Sequence, residues 1–291
     1  MESPVLQTVF VGETSLAYME TGAGQPIIFV HGIPTDYRAW NAQVEAFSSK
    51  YHMIAYSRRL AKPNQNREDY ANSTIENNSA DLIGLIQYLK VSPVHLVGHS
   101  YGGFTAAYCA AIHPELIRTL VLVEPAVSTI LLKDRKTPVQ LLSLLLRSPL
   151  TAISAAKFQR NSLDPSLAAF DSGDYDTALR LNVDGIMNQK DALDRLPEPT
   201  RTMMKENEKT VGELKSEPPA FGKDVASRIS APTLLVNGAN SPRVFHTIAS
   251  RLAKAITHSE TAKVPGSAHF PHVEKPQEFN TLVLDFLTKQ A

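Results

Sequence analysis

Six short apolar runs constrain this chain more than any other feature. They occupy residues 26–30, 52–56, 94–97, 120–123, 233–236 and 260–264. Each stops abruptly, at His31-Gly32, Ser57-Arg58-Arg59, Gly98-His99-Ser100, Glu124-Pro125, Asn237-Gly238 and Pro265-Gly266 respectively. Near-continuous apolar runs of this length suit strands whose two faces are both covered, as in a parallel sheet. The intervening segments read as helices. Residues 74–90 carry Ile75, Leu82, Ile83, Leu85, Ile86 and Leu89 as a stripe, and residues 277–289 set Phe279, Leu282, Val283, Phe286 and Leu287 on one face. Residues 101–112 are rich in small side chains, which lets a helix lie close to a sheet. Near the start, residues 8–11 and 16–18 flank Gly12-Glu13-Thr14 and predict an antiparallel hairpin. The expected class is α/β, with a mostly parallel central sheet, helices on both faces, and function collected at the carboxyl ends of the strands.

Residues 127–228 break that rhythm. They hold no convincing strand, and Pro138, Pro149, Pro165, Pro197, Pro199, Pro218 and Pro219 divide them into short helical pieces. A structureless loop of that length is improbable inside a compact domain. The prediction is a helical cap, residues 127–228, inserted into a core made of residues 1–126 and 229–291; an independent second domain is the alternative.

Composition removes several function classes. Lys+Arg and Asp+Glu number 29 each and the pI is about 7.1, so no basic excess exists to displace counterions. Neither nucleic acid nor an anionic membrane is expected as partner. The single cysteine, Cys109, can form no internal disulfide and no Cys-based zinc site. The most apolar stretch, residues 139–146, is interrupted by Gln140 and Ser143 and is far shorter than the roughly 20 residues of a membrane span. Met1-Glu2-Ser3-Pro4 shows no signal-peptide pattern. A cytoplasmic protein is the default expectation, and a homodimer is compatible with the sequence.

Chemistry concentrates in Gly98-His99-Ser100-Tyr101-Gly102-Gly103. It matches G-x-S-x-G between a strand and a small-residue helix, the context in which the motif marks a nucleophilic serine. A sharp strand-to-helix turn holds Oγ clear of the sheet, at a helix N-terminus that favours developing negative charge. A glycine-rich turn with an incidental serine is the plainer alternative.

With these residues the chain resembles the α/β-hydrolase superfamily over nearly its whole length. The hairpin, the loop His31-Gly32-Ile33-Pro34, the serine turn, the inserted segment and Gly266-Ser267-Ala268-His269 stand in the family's order. The resemblance implies that the backbone amides of Ile33 and Tyr101 form an oxyanion hole. It also implies that His269 is the general base. His272 is the rival, and is otherwise a packing residue at a helix entry. His31 either braces its loop or contacts substrate. His99 fills the turn, and His52, His95, His113, His246 and His258 have no motif support.

The third triad member departs from the family. Relatives carry Asp where Gly238-Ala239-Asn240-Ser241 places Ser241, and serine cannot stabilise an imidazolium as a carboxylate does. Glu124 is the candidate acid, because a charge directly after four apolar strand residues needs a partner. The order Ser100, Glu124, His269 keeps nucleophile, acid and base in sequence. Capping or pairing with an arginine is the alternative role. In Ser57-Arg58-Arg59 the usual glycines are missing; Arg59 is placed opposite the family's arginine, either to orient a substrate carboxylate or to form an ion pair. Trp40 lines an acyl pocket or packs in the core. Taken together, the resemblance implies a serine esterase or lactonase that acts on a small-molecule ester or lactone and needs no cofactor and no metal. C–C bond cleavage, a haloperoxidase-like activity and a non-catalytic ligand-binding protein are the alternatives. The leucines of residues 141–146 hint at a hydrophobic substrate group.

Overall fold

A computed structural model describes residues 5–132 and 144–290. Part of the predicted cap, including Pro138 and the first leucines of the 141–146 run, lies outside the described residues. The six expected strands form, joined by the predicted hairpin. In chain order they are β1 (Leu6–Val11), β2 (Thr14–Thr21), β3 (Gln25–Val30), β4 (Tyr51–Tyr56), β5 (Val94–His99), β6 (Ile117–Val123), β7 (Thr233–Gly238) and β8 (Ser259–Val264). They make one sheet in the order β1-β2-β4-β3-β5-β6-β7-β8. β1 pairs antiparallel with β2 and β2 with β4, while every other neighbour is parallel.

Strand alternation divides the core in two. Ile28, Val30, Leu96, Leu120 and Leu122 face one layer; Ile27, Phe29, Val97, Val121 and Val123 face the other. Labelling the helices of eight or more described residues in order, α1 (Ile75–Leu89), α2 (Ser100–Ile112) and α7 (Arg243–Ala255) cover the first layer. α8 (Pro276–Lys289), with Trp40 and Phe47, covers the second. Thr74 caps α1 by accepting from the Asn77 amide at 3.2 Å. The helices therefore lie on both faces, as expected. β8 is the exception to the apolar-strand reading. As an edge strand it is half exposed, and its sequence SETAKV has little to bury.

Between β6 and β7 the described residues form helices and no strand: α3 (Pro149–Phe158), α4 (Asp164–Asp171), α5 (Tyr175–Met187), α6 (Glu198–Glu206) and shorter pieces. A π-helical turn, Gln159–Leu163, joins α3 to α4. This helical insertion seats on the sheet domain at two places. α3 lies on α7, where Thr151 Oγ1 and Thr247 Oγ1 are 2.8 Å apart and the Val244 amide donates to Ser154 Oγ at 3.3 Å. A second edge, running from Glu206 to Glu213, meets the segments that follow β3 and β4. There Asn207 Nδ2 donates to Asp36 Oδ2 at 2.7 Å, and the Lys62 amide donates to Asn207 Oδ1 at 2.8 Å.

Candidate active site

The β5–α2 turn is built by close contact. A Cβ on Gly98 would stand 2.5 Å from the Gly102 carbonyl oxygen, and one on Gly102 would stand 2.3 Å from that of His31. Both distances are shorter than real contacts, so only glycine lets the helix come this close to the sheet. The chain turns at Ser100, whose φ is +52°. A left-handed conformation at a non-glycine residue costs on the order of 1–3 kcal/mol and persists where surrounding structure demands it. Glu124 is the other site residue in that region, at φ +49°. The remaining non-glycine residues with positive φ among those described, Lys90, Asn188 and Asp191, sit at helix ends.

The structure brings Ser100, His269 and Glu124 together across long sequence distances. With its proton on Nδ1, His269 accepts from Ser100 Oγ through Nε2 at 2.9 Å. On the other side of the ring, Nδ1 lies 3.3 Å from Glu124 Oε2. That spacing is an ion-pair contact, but the two atoms are not aligned as a hydrogen bond. Catalytic hydrogen bonds are often long before substrate binds. Glu124 and His269 are fully buried, and Ser100 is 8% exposed.

Glu124 is held by its other oxygen. Oε1 accepts from Asn237 Nδ2 at 3.0 Å, from the Gly238 amide at 2.7 Å and from Ser241 Oγ at 2.8 Å. Its backbone amide donates to the Val236 carbonyl at 2.9 Å, extending the β6–β7 ladder by one step. Ser241 is therefore no empty position. The hydroxyl that stands where relatives carry the acid donates to the carboxylate that stands elsewhere.

Gly32 lies against the nucleophile, since a Cβ there would be 2.9 Å from Ser100 Cβ. The next residue, Ile33, is thus beside Ser100, and Tyr101 occupies the first turn of α2, where backbone N–H groups lack intrahelical partners. His31 braces this loop: its Nδ1–H donates to the Gly32 carbonyl at 2.8 Å, and Nε2 accepts from the Arg58 amide at 2.9 Å. Burial, and then the nearby Arg58 charge, hold its pKa well below the ordinary histidine range. The bracing role, not substrate contact, is what the geometry supports.

Two further expectations for substrate-binding residues take their plainer form. Arg59 turns away from the site. Its guanidinium pairs with both oxygens of Asp81, at 2.8 and 2.9 Å, and reaches the carbonyls of Asn72 and Asn77. The arginine that meets the His31 loop is Arg58 instead. Trp40 is fully buried, stacked on His272 at 4.5 Å and packed against Phe29 at 5.0 Å, so it fills the core behind the site.

Other contacts had no sequence signal. The Phe245 ring lies 4.5 Å from the His269 ring, between it and Phe158 of the insertion. Glu274 accepts from the amides of Ala268 and Phe270, both at 3.0 Å, and so clamps the backbone on each side of His269. Burial pushes the Glu274 carboxyl above its usual range despite those two amides. His99 Nε2–H donates to the His269 carbonyl at 2.8 Å. His272 is fully buried, and burial, aided by neighbouring His269, pushes its pKa down to about 3. It is neutral at ordinary pH and faces the rings of Trp40 and His99, not Ser100. An open cleft of about 460 Å³ lies elsewhere, bordered by Tyr37, Arg38, Lys62 and Glu206 among others; none of Ser100, Glu124 and His269 lines it. Among the described residues no cluster of His, Cys, Asp or Glu is arranged to hold a metal ion, and no helix is long and apolar enough to cross a membrane.

A serine on a strained strand-to-helix turn of a mostly parallel sheet, facing a histidine from the loop after the last strand, defines the class of α/β hydrolases. The chain belongs to the alpha/beta hydrolase fold family, whose model matches residues 25–276. Among curated relatives it is 26% identical over 286 residues to a Mycobacterium tuberculosis protein provisionally named a non-heme bromoperoxidase, covering 94% of this chain and 97% of that one. It is 25% identical over 286 residues to the 2-hydroxy-6-oxononadienedioate/2-hydroxy-6-oxononatrienedioate hydrolase of Paraburkholderia xenovorans, covering 95% and 91%. A thermophilic esterase from Thermogutta terrifontis has the same fold, with a TM-score of 0.66 at 21% identity over 99% of each chain.

Proposed function

We propose that the chain is a serine hydrolase that cleaves carboxylic esters of small or medium hydrophobic substrates through an acyl-enzyme. The observation that carries this reading is the contact series from Ser100 Oγ through His269 to the buried, threefold-bonded Glu124 carboxylate. His269 takes the Ser100 proton as Oγ attacks the ester carbonyl. The Ile33 and Tyr101 amides receive the negative charge on the carbonyl oxygen, where one such donor is typically worth about 10²–10³ in rate. Glu124 keeps the proton on Nδ1 and stabilises the imidazolium. His269 then protonates the departing alcohol, and after it leaves, activates water to release the acid. This scheme calls on no cofactor and no metal. In this reading residues 127–228 are a cap that shapes the substrate space.

The test is direct. Wild-type protein with a short-chain nitrophenyl ester should give turnover that Ser100→Ala abolishes, and a fluorophosphonate should label Ser100, located by peptide mass. Labelling without ester turnover would move the reading to another substrate on the same residues. The hydrolase name of the Paraburkholderia relative gives C–C bond cleavage a claim here, and a 2-hydroxy-6-oxo-dienoate substrate tests it. A lactone substrate tests the cyclic-ester variant. No labelling and no turnover would favour a ligand-binding protein.

A further inference from the structure

Arg58 follows β4, and its side chain is completely buried, as is that of Glu213. Glu213 belongs to the 3-10 stretch Glu208–Lys215 of the helical insertion, so the pair joins the two parts of the molecule. Nη1 of Arg58 donates to Glu213 Oε2 at 2.7 Å and to Asn78 Oδ1 at 3.1 Å, while Nη2 donates to Glu213 Oε1 at 3.2 Å. Nε donates to the His31 carbonyl at 3.1 Å. The guanidinium carbon lies 4.7 Å from the centre of the Tyr101 ring, and the Tyr101 hydroxyl donates to the Ser73 carbonyl at 2.7 Å. Ser73 Oγ in turn donates to Glu213 Oε2 at 2.6 Å.

One cation therefore touches both segments that carry the amides beside Ser100: His31, two residues before Ile33, and Tyr101 itself. Its counter-charge comes from the insertion. A planar guanidinium fixed by a two-pronged carboxylate has a set orientation, which a single neutral acceptor cannot impose. Taking away the carboxylate would leave a buried cation without its charge partner, a strongly destabilising state that the local structure can relieve only by moving. The parts free to move with it are the His31 loop and the Tyr101 ring.

We propose that Arg58 and Glu213 form a latch through which the helical insertion sets the position of the oxyanion amides. Arg58 is a positioning residue, and seating of the insertion and competence for acyl transfer are one coupled state. The inference rests on the acyl-transfer reading above. The Arg38–Glu206 pair is the natural contrast, because it also ties insertion to core but lies at the surface and touches neither His31 nor Tyr101.

The experiment compares Glu213→Gln, Ser73→Ala and Glu206→Gln with wild type in the full chain. It measures kcat and KM on a nitrophenyl ester, affinity for a boronic acid that forms a tetrahedral adduct on Ser100, and melting temperature. It also follows the rate of fluorophosphonate labelling, in which the Ser100 Oγ–P bond forms, fluoride leaves and the hydroxyl proton passes to His269. Glu213→Gln should lower kcat about 10- to 100-fold with KM within about threefold, the scale expected when reacting groups are displaced by about an ångström. Boronate affinity and labelling rate should fall with kcat/KM. Ser73→Ala should shift the same readouts about three- to tenfold, and it decides the matter if Glu213→Gln does not fold. Glu206→Gln should stay within about twofold of wild type. A lowered melting temperature with kcat unchanged overturns the latch, as does a rise in KM alone or an equal loss in Glu206→Gln. If wild type is labelled but cleaves no ester, the ester reading fails by itself and the latch is judged on labelling rates. If wild type is not labelled, both fall.

Discussion

Replacing Glu124 with glutamine is the sharpest perturbation this site allows, because the surrounding donors dictate how the amide must sit. Oε1 accepts from Asn237 Nδ2, the Gly238 amide and Ser241 Oγ. An NH₂ group placed there would face three donors, so the glutamine oxygen must occupy that position. Its NH₂ is then turned toward His269 Nδ1, 3.3 Å away from the place Oε2 now holds. Two N–H groups cannot face each other, so the imidazole is driven to the tautomer with its proton on Nε2. That nitrogen now stands 2.9 Å from Ser100 Oγ as an acceptor; protonated, it can no longer take the serine proton. Loss of the base tautomer by an isosteric acid-to-amide change costs about 10⁴ in kcat, or about 5.5 kcal/mol of transition-state stabilisation. The assay is steady-state turnover of a nitrophenyl ester at neutral pH, with a burst measurement to separate acylation from deacylation and a melting curve to confirm folding. KM should move little. A loss below about tenfold in a folded variant would refute the tautomer argument and transfer the acid role to another residue.

Removing the attacking group or the base should be more severe still. Ser100→Ala and His269→Ala should each lower kcat by up to about 10⁶, measured against the background rate, because triad members act as a unit. Ser241→Ala deletes one of the donors to Glu124 and should cost about three- to tenfold in kcat, on the scale of one hydrogen bond to a charged group. Ser241→Asp combined with Glu124→Gln restores a carboxylate on the loop after β7 and should recover part of the activity lost by Glu124→Gln; no recovery would mean that this loop is too far from Nδ1. Acid should weaken the fold early. His31, His99 and His272 are buried with depressed pKa values, so the unfolded chain binds more protons as pH falls below about 6.5, and the stability they contribute is present above that pH and lost below it. At about pH 5.5 each should contribute about 1.4 kcal/mol less, so urea midpoints should drop steeply between about pH 7.5 and 5.5, and His272→Phe should flatten that slope.

What could be read from the sequence was local. The Gly98–Gly103 turn announces itself because its glycines are demanded by contacts within a few residues and against the neighbouring strand. His269 is legible for a similar reason, standing in a short loop after a strand. Glu124 could be singled out because a charge at the end of an apolar strand needs an explanation, although nothing in the sequence showed its left-handed backbone. Ser241 was legible only as a departure; that its hydroxyl supports the displaced acid depends on where two loops meet. Arg58 and Arg59 are neighbours of the same type, and one-dimensional spacing favoured Arg59. The fold separates them by sending one to the insertion and the other to Asp81. Phe245, Glu274 and Glu213 gave no signal at all, since their roles are contacts with backbone or rings far along the chain.

Why the acid can move at all follows from sheet geometry. β6 and β7 are parallel neighbours with Val123 opposite Val236, so their carboxyl ends emerge side by side, about 4.8 Å apart. A carboxylate leaving either end can reach the same imidazole nitrogen, provided its side chain is long enough and its backbone is aimed. From β6 this takes a glutamate, in a left-handed conformation costing on the order of 1–3 kcal/mol. Three hydrogen bonds to one carboxylate oxygen, each to a charged acceptor and each worth about 1.5–3 kcal/mol, more than offset that strain. All three donors come from residues 237–241, the loop that carries the acid in relatives. The two strand ends have thus exchanged parts: one now supplies the charge and the other its support. What the arrangement preserves is a buried carboxylate oxygen at Nδ1, and the residue that delivers it is free to change so long as its neighbours supply the donors that hold it there.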